Sequence, residues 1–554
     1  MTLTGDLALY GRFVWGLPGF LRQRTTLEET RAVIRQSLER RDERFLHQAE
    51  RSIFGHPASP YRALLRHAGY GLDDLRHLVQ SQGLEGALGT LLKAGVYVGY
   101  EEFKGRAPIV RGSLRFTVEP GEFDNPATQV AMAGWTSGAT GGGTRVLFGF
   151  PQQRSSARMQ LLGAEAHGML GAPMIHWGSI LPNIVPMASM MRAFTFGQRP
   201  IEWFTPIVSR DLRPSLISRL ATWYIVGMAR ASGFPFPWPQ PVRMDRADIV
   251  ARAVAATLRA RGRCVLHVSP SLGVRVSVAA REAGLDLSGA LFSIGGEPVT
   301  QAKVDEIVRC GARWCAVYAM MEVGWVGNGC ARPLGSDDVH FARDRLALIQ
   351  HPWTPPGRET SVDAIYLTSL DPTAPKIAIN LETGDYGIFE RRACGCRLGE
   401  HGFTDHLRQV RSYRKLTSEG VTLAGIDIER ILQEALPARF GGSAVDYQLV
   451  EEEDRDSLTR LSLLVSPRVA LPDEAVVVEA LLRMLRQAEG GADQVQAFWR
   501  QAGALRVKRQ EPIWNAREKL LPLHLAQRRG RATDSPREVP ATKAGRAPHG
   551  PQAR

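Results

Sequence analysis

Between about residues 245 and 320 apolar runs alternate with amphipathic ones, and that alternation restricts the fold more than any other feature. Arg246 to Ala260 reads as a helix, Cys264-Val-Leu-His-Val as a buried strand and Leu272 to Glu282 as a helix. Ala290-Leu-Phe-Ser-Ile follows as a strand, Gln301 to Cys310 as a helix and Trp314-Cys-Ala-Val-Tyr as a strand. A β-α-β-α-β order requires crossover connections, hence parallel pairing. Ligands of such sheets bind beyond the C-terminal strand ends. Gly295 and Glu322 both fall just past such ends.

At 554 residues the chain has room for three or four domain-sized units. Residues 1–104 show apolar spacings of three and four and read as a helical N-terminal region. After about 410 a helix, the strand pair Tyr447-Gln-Leu-Val and Arg460-Leu-Ser-Leu-Leu-Val, and a helix from Asp473 to Ala488 predict a small α+β unit. Residues 527–554 are basic, rich in Pro, Ala and Gly, and read as a disordered tail. The net charge of +13 has no aromatic stacking platform beside it, so no nucleic-acid partner is expected. Pro and Arg interrupt the apolar runs too soon for a membrane span. No membrane partner and a cytoplasmic location are therefore expected; a homodimer is left open.

The strongest local signal is Trp135-Thr-Ser-Gly-Ala-Thr-Gly-Gly-Gly-Thr-Arg145. Small residues let the backbone turn tightly and aim several N–H groups at one anion. The Walker ending Gly-Lys-Ser/Thr is missing. Thr136-Ser-Gly-Ala-Thr-Gly resembles the phosphate loop of the adenylate-forming enzymes, the superfamily of acyl-CoA synthetases, luciferases and adenylation domains. Four further stretches resemble that superfamily's motifs, in its order. They are Gly295-Gly-Glu-Pro298, Tyr318-Ala-Met-Met-Glu322, Thr383-Gly-Asp385, and Arg411 with Gly420 and Glu429 at nine-residue intervals. Glu102-Phe-Lys-Gly-Arg, the Gly-Gly-Glu-Pro turn and the late Cys-Gly-Cys resemble the phenylacetate–CoA ligase branch. The resemblance covers roughly residues 60 to 525.

That resemblance implies an α/β fold: a large N-terminal domain with mixed, partly parallel sheets flanked by helices, and a small mobile α+β C-terminal domain. The core domain would span 105–410 and the lid 411–526. The implied reaction joins ATP and a carboxylic acid to form an acyl-adenylate, then transfers the acyl group to coenzyme A. The alternatives are a non-CoA acceptor or a non-catalytic nucleotide-binding relative. Thr136, Ser137, Gly138, Thr140 and Gly141 would hold phosphate, and Gly295, Gly296, Glu297 and Pro298 would border adenine. Tyr318 would stack on the base, Asp385 would accept from the ribose hydroxyls, and Arg411 would reach ribose or phosphate. Glu322 would bind Mg²⁺, a hard cation that prefers carboxylate oxygen. Lys519 is the expected catalytic lysine, with Lys508 second.

The pattern also departs from the superfamily's. Thr144 takes the place of the loop lysine, so Arg145 is assigned the missing charge; Ala319, Met321 and Glu518 replace the usual glycine, threonine and glycine. His176, Trp177 and Ala319 are the candidate lining of an apolar, aryl-type acid pocket, with a core aromatic pair as the competing reading. Cys330, His340, Cys394 and Cys396 form a Cys₃His set suited to structural Zn²⁺, although their spacing is not that of a zinc finger. The branch implies such a zinc; the competing reading is small buried hydrophobes.

Overall fold

The computed structural model describes residues 3–128, 132–135, 145–181, 183–206, 216–353, 361–412, 415–418, 421–424, 431–442, 446–453, 459–471, 473–487, 505–512 and 523–525. One twelve-stranded sheet dominates. Across it run Leu346–Trp353, Val362–Ser369, Leu381–Arg391, Asp405–Ser412, Val339–Phe341 and Gly324–Gly329. Arg313–Met320, Ala290–Gly295, Cys264–Val268, Met174–Trp177, Pro200–Thr205 and Pro239–Pro241 complete it.

The second six strands are mutually parallel. Their apolar runs need cover on both faces, and helices such as Ala247–Arg261, Pro270–Glu282 and Gln301–Arg309 provide it. The three strands and three helices expected between 245 and 320 are present. The first six strands are antiparallel to their neighbours and were not anticipated as a group. The architecture is α/β with a mixed, partly parallel sheet flanked by helices.

Helices from residue 41 onward share a core with the sheet. Phe45, Tyr61, Leu64 and Leu88 share one core with Val250, Phe292 and Leu348. Asn380, held at φ 48°, donates from Nδ2 to the carbonyls of Leu88 (2.9 Å) and Val96 (3.1 Å). These bonds tie the helices to the strand that carries Thr383 and Asp385. Further on, Leu505–Arg509, Thr459–Val465, Tyr447–Glu453 and Leu523–Leu525 form a four-stranded sheet. With the helix Glu474–Gln487 they make the expected small α+β unit.

Glu297 and Lys303 illustrate how this scaffold is fastened. Their side chains are fully buried and paired at 3.0 Å. The same carboxylate accepts from Ser271 N (3.0 Å) and Ser271 Oγ (2.6 Å), at the first turn of Pro270–Glu282. A carboxylate there complements the helix dipole. Replacing Lys303 by Met strands the buried anion and is expected to cost about 3–5 kcal/mol of stability. Urea unfolding of the two proteins measures it, and an unchanged midpoint would contradict this role.

Candidate active site

The parallel strands bring their C-terminal ends to one sheet edge. His176 lies opposite His267, Val268 opposite Ile294, and Gly295 opposite Val317. A side chain at Gly295 would put its Cβ 2.5 Å from the Val317 carbonyl, so glycine is required for the strands to meet there. A register shift between Tyr318 and Ala319 re-aims the strand end before it turns through Glu322. Ala319 is exposed.

Tyr318 and Asp385, 67 residues apart, meet across this edge: the phenol donates to Asp385 Oδ2 at 2.8 Å. Burial, then the charge of Asp385, raises the Tyr318 pKa well above the ordinary range, so the phenol stays a donor. Gly384 at φ 78° bends the Thr-Gly-Asp segment, and Thr383 Oγ1 accepts from Asp385 N at 3.1 Å. Asp385 is 8% exposed.

Glu322, 7% exposed, pairs through Oε1 with Lys104 Nζ at 2.8 Å. Its charge and that of Asp385 both act on Tyr100, whose phenol is raised chiefly by burial and next by Glu322. Glu322, Asp385, Tyr100 and Tyr318 therefore occupy one electrostatic neighbourhood. Beside it, Asp124 binds Lys376 Nζ at 2.5 Å and Arg145 at 3.2 Å. Burial lowers the Lys376 pKa, and Asp124 opposes that shift.

Arg411 lies opposite Tyr386 on the adjacent strand, one residue from the Asp385–Ser412 pair. Its guanidinium is turned to Asp337 at 2.9 Å, and the Asp337 carboxylate also accepts from Gln409 N and Val410 N, both at 2.9 Å. The Gly295–Pro298 turn is in place, but the Glu297 carboxylate points into the scaffold. Any ligand contact of that turn falls to its backbone.

His176 and Trp177 are buried. The His176 and His267 rings stack at 5.7 Å, and His176 Nδ1 and Trp177 Nε1 have no hydrogen-bond partner among the described residues. Burial, then Arg192, pushes His267 down to about 3; burial, then His267 and Arg192, lowers His176 as well. Both rings are neutral at pH 7. The unfolded chain takes up a proton below about pH 6.5 and the folded ring does not, so this stability is complete above pH 6.5 and shrinks between pH 6.5 and 3. His267 is expected to cost about 2 kcal/mol by pH 5. Unfolding at pH 7 and pH 5 should show a smaller drop in His267→Gln, and equal drops would refute the assignment.

The Cys₃His set is assembled. Ligand atoms of Cys330, His340, Cys394 and Cys396 lie within 4.8 Å of one another. His340 Nε2 is 3.1 Å from Cys396 Sγ and 3.5 Å from Cys394 Sγ. Its Nδ1 donates to the Phe403 carbonyl at 2.6 Å, which turns Nε2 toward the sulfurs, as zinc-ligating histidines require. Three sulfurs and one imidazole, largely buried, fit Zn²⁺. A second grouping, Cys330 with Asp338 and His406, shares one sulfur. Its carboxylate is already engaged by His406 Nδ1 at 2.7 Å, Leu334 N at 2.8 Å and Arg392.

The expected phosphate loop at 136–144, Gly420 and Glu429 of the motif that begins at Arg411, Lys519 and the tail at 527–554 lie outside the described residues. Lys508 is described and pairs with Glu452. Sequence reasoning gave no role to Lys104, Asp124, Lys376, Asp337 or His267. Lys104 stood inside a quoted stretch, but nothing local ties it to a carboxylate 218 residues away.

No family model matches this chain, and no curated protein does. Among solved structures it is similar to 2-hydroxyisobutyryl-CoA ligase in complex with 2-HIB-AMP and CoA. That match has TM-score 0.54 and 14% identity, over 91% of this chain and 91% of that one. An o-succinylbenzoate CoA synthetase from Bacillus subtilis aligns with TM-score 0.39 and 12% identity, over 71% of this chain and 68% of that one. MatB from Rhodopseudomonas palustris aligns with TM-score 0.34 and 13% identity, over 71% and 67%. The first of these establishes the fold: this chain is built like that adenylate-bound ligase.

Proposed function

We propose that this protein activates a carboxylic acid with ATP and passes the acyl group to coenzyme A. The observation that carries the reading is the meeting of Tyr318 and Asp385 at 2.8 Å, with Glu322 in the same buried neighbourhood. Two motif residues distant in sequence converge where a parallel sheet binds ligands. A buried carboxylate there can accept both ribose hydroxyls, and the Tyr318 ring borders the base.

In the first step a carboxylate oxygen attacks the α-phosphorus, and the bond to the β-phosphate oxygen breaks. Two anions must approach, so positive charge has to be supplied. Lys104 and Arg145 are the described residues assigned to bring it, and Lys519 is assigned the bridge between carboxylate and α-phosphate. Glu322 would hold Mg²⁺, which supplies charge neutralisation when bound. In the second step the coenzyme A sulfur attacks the acyl carbon; the C–S bond forms, the C–O bond to AMP breaks, and the thiol proton is released. Lys519 is needed in the first step alone, so rotation of a lid spanning 411–526 against a core spanning 105–410 would clear the thiol's path.

The finer assignment is a phenylacetate–CoA ligase-like, cytoplasmic enzyme with structural zinc, acting on an aryl or other apolar acid. Ile175, Trp177 and Phe204 beside His176 are buried in the apolar core, so the class of acid rests on the sequence resemblance. Thioester formation and AMP release, measured over a panel of aryl and aliphatic acids with and without coenzyme A, test it. Thioester formation that needs an aryl or apolar acid supports the proposal. AMP release without coenzyme A would point to another acceptor, and no turnover with any acid would point to a non-catalytic relative.

A further inference from the structure

The helix Leu216–Ala231 is apolar on two faces, and the protein covers one of them. Thr222, Ile225, Val226 and Ala229 are fully buried against a core that includes Phe13, Leu17 and Phe20 of the helix Leu3–Arg22. On the other face, Leu216 (67%), Leu220 (60%), Trp223 (53%) and Tyr224 (55%) stand in solvent. Their spacing of four, three and one places them on one stripe. Trp238 extends the stripe: its ring packs on Trp223 with centroids 5.0 Å apart and is itself part-exposed. Trp15, on the adjoining helix, is 90% exposed. A cluster of this kind marks an interaction surface rather than scattered apolar residues.

Charge identifies the partner. Between residues 212 and 244 there is no Asp or Glu, while Arg213, Arg219 and Arg230 lie in that stretch; Arg243, at its end, is paired with Asp245. Arg219 and Arg230 are exposed on the helix itself. A second copy docking by this stripe would bring arginine to arginine with no acid from the helix between them. An anionic partner meets the same residues favourably. The stripe carries two indoles and a phenol, side chains whose apolar ring and polar edge suit a headgroup layer. Basic residues beside Leu, Trp and Tyr on one helix face describe an interfacial helix.

We propose that the face formed by Leu216, Leu220, Trp223, Tyr224 and Trp238 docks the protein on an anionic lipid surface. Among the described residues no helix is long and apolar enough to cross a membrane. The sequence-based expectation of no membrane partner rested on the lack of a span, and surface docking needs none. The proposal is independent of the adenylation reading.

Flotation of the full chain with lipid vesicles tests it. Vesicles of phosphatidylcholine mixed with phosphatidylglycerol should carry the protein at least about tenfold better than phosphatidylcholine alone, and the difference should shrink as salt rises. The double variant Leu216→Ser, Leu220→Ser removes apolar area from exposed positions and should weaken retention by about tenfold or more, with an unchanged melting temperature. Arg219→Gln should flatten the salt dependence. Two results would overturn the proposal: no flotation of the unaltered protein, or full flotation of the double variant. A dimer seen by light scattering and split by the same substitutions, without vesicle binding, would assign the face to a second copy instead.

Discussion

Glu322→Gln is expected to lower adenylate formation by about 10²–10³-fold, the usual scale for removing one charge-stabilising group from a reaction centre. The substitution keeps the shape of a side chain that is 7% exposed and removes its charge. Glutamine can still accept from Lys104 Nζ, now 2.8 Å from Glu322 Oε1, so the turn after Met320 should keep its form. The loss belongs in turnover rather than in the KM for the acid, because the carboxylate is assigned to the metal and the phosphates. Pyrophosphate release in the presence of an accepted acid measures it, with a thermal melt as the folding control. Turnover within about threefold of the parent protein, far short of that loss, would remove Glu322 from the chemistry.

Removal of the zinc proposed for the Cys₃His set is the second large expected effect. Cys330 and His340 sit at the Gly324–Gly329 and Val339–Phe341 strands, and Cys394 and Cys396 in the loop after Leu381–Arg391. A metal shared by these four residues would close loops of the antiparallel half of the sheet. Apparent zinc affinities in small domains correspond to about 10–16 kcal/mol, of which a large scaffold needs only a part. Cys396→Ser or prolonged chelation is expected to cost about 3–5 kcal/mol, as loss of a buried, fully liganded cluster does. Metal analysis should return one zinc per chain. A metal-free purified protein that melts identically with and without chelator would leave the cysteines as buried hydrophobes.

The parallel strands were readable because each needs a continuous apolar run, as in Cys264–Val268 and Ala290–Gly295. Thr383-Gly-Asp385 was readable through its resemblance to a superfamily motif, and Gly384 occupies a positive φ there. Cys394-Gly-Cys396 was readable as two thiols close in sequence, whereas its juxtaposition with His340 depends on strand pairing. The Lys104–Glu322 and Arg411–Asp337 pairs were not legible, since one partner in each is supplied by a distant segment. Glu297 shows the converse. Its motif directed attention to a ligand, while Ser271 and Lys303 engage its carboxylate inside the scaffold. Periodicity was equally silent about the helix Leu216–Ala231. Apolar residues occur on two of its faces, and only the fold shows which one is left outside.

The most direct measurement is equilibrium binding of labelled ATP to the unaltered protein and to Asp385→Ala. It needs no knowledge of the acid. One saturable site is expected per chain, weakened by about tenfold or more in the variant, the worth of a hydrogen bond to a buried carboxylate. Absence of ATP binding, or equal binding by the variant, would contradict the claim that Tyr318, Glu322 and Asp385 surround one nucleotide.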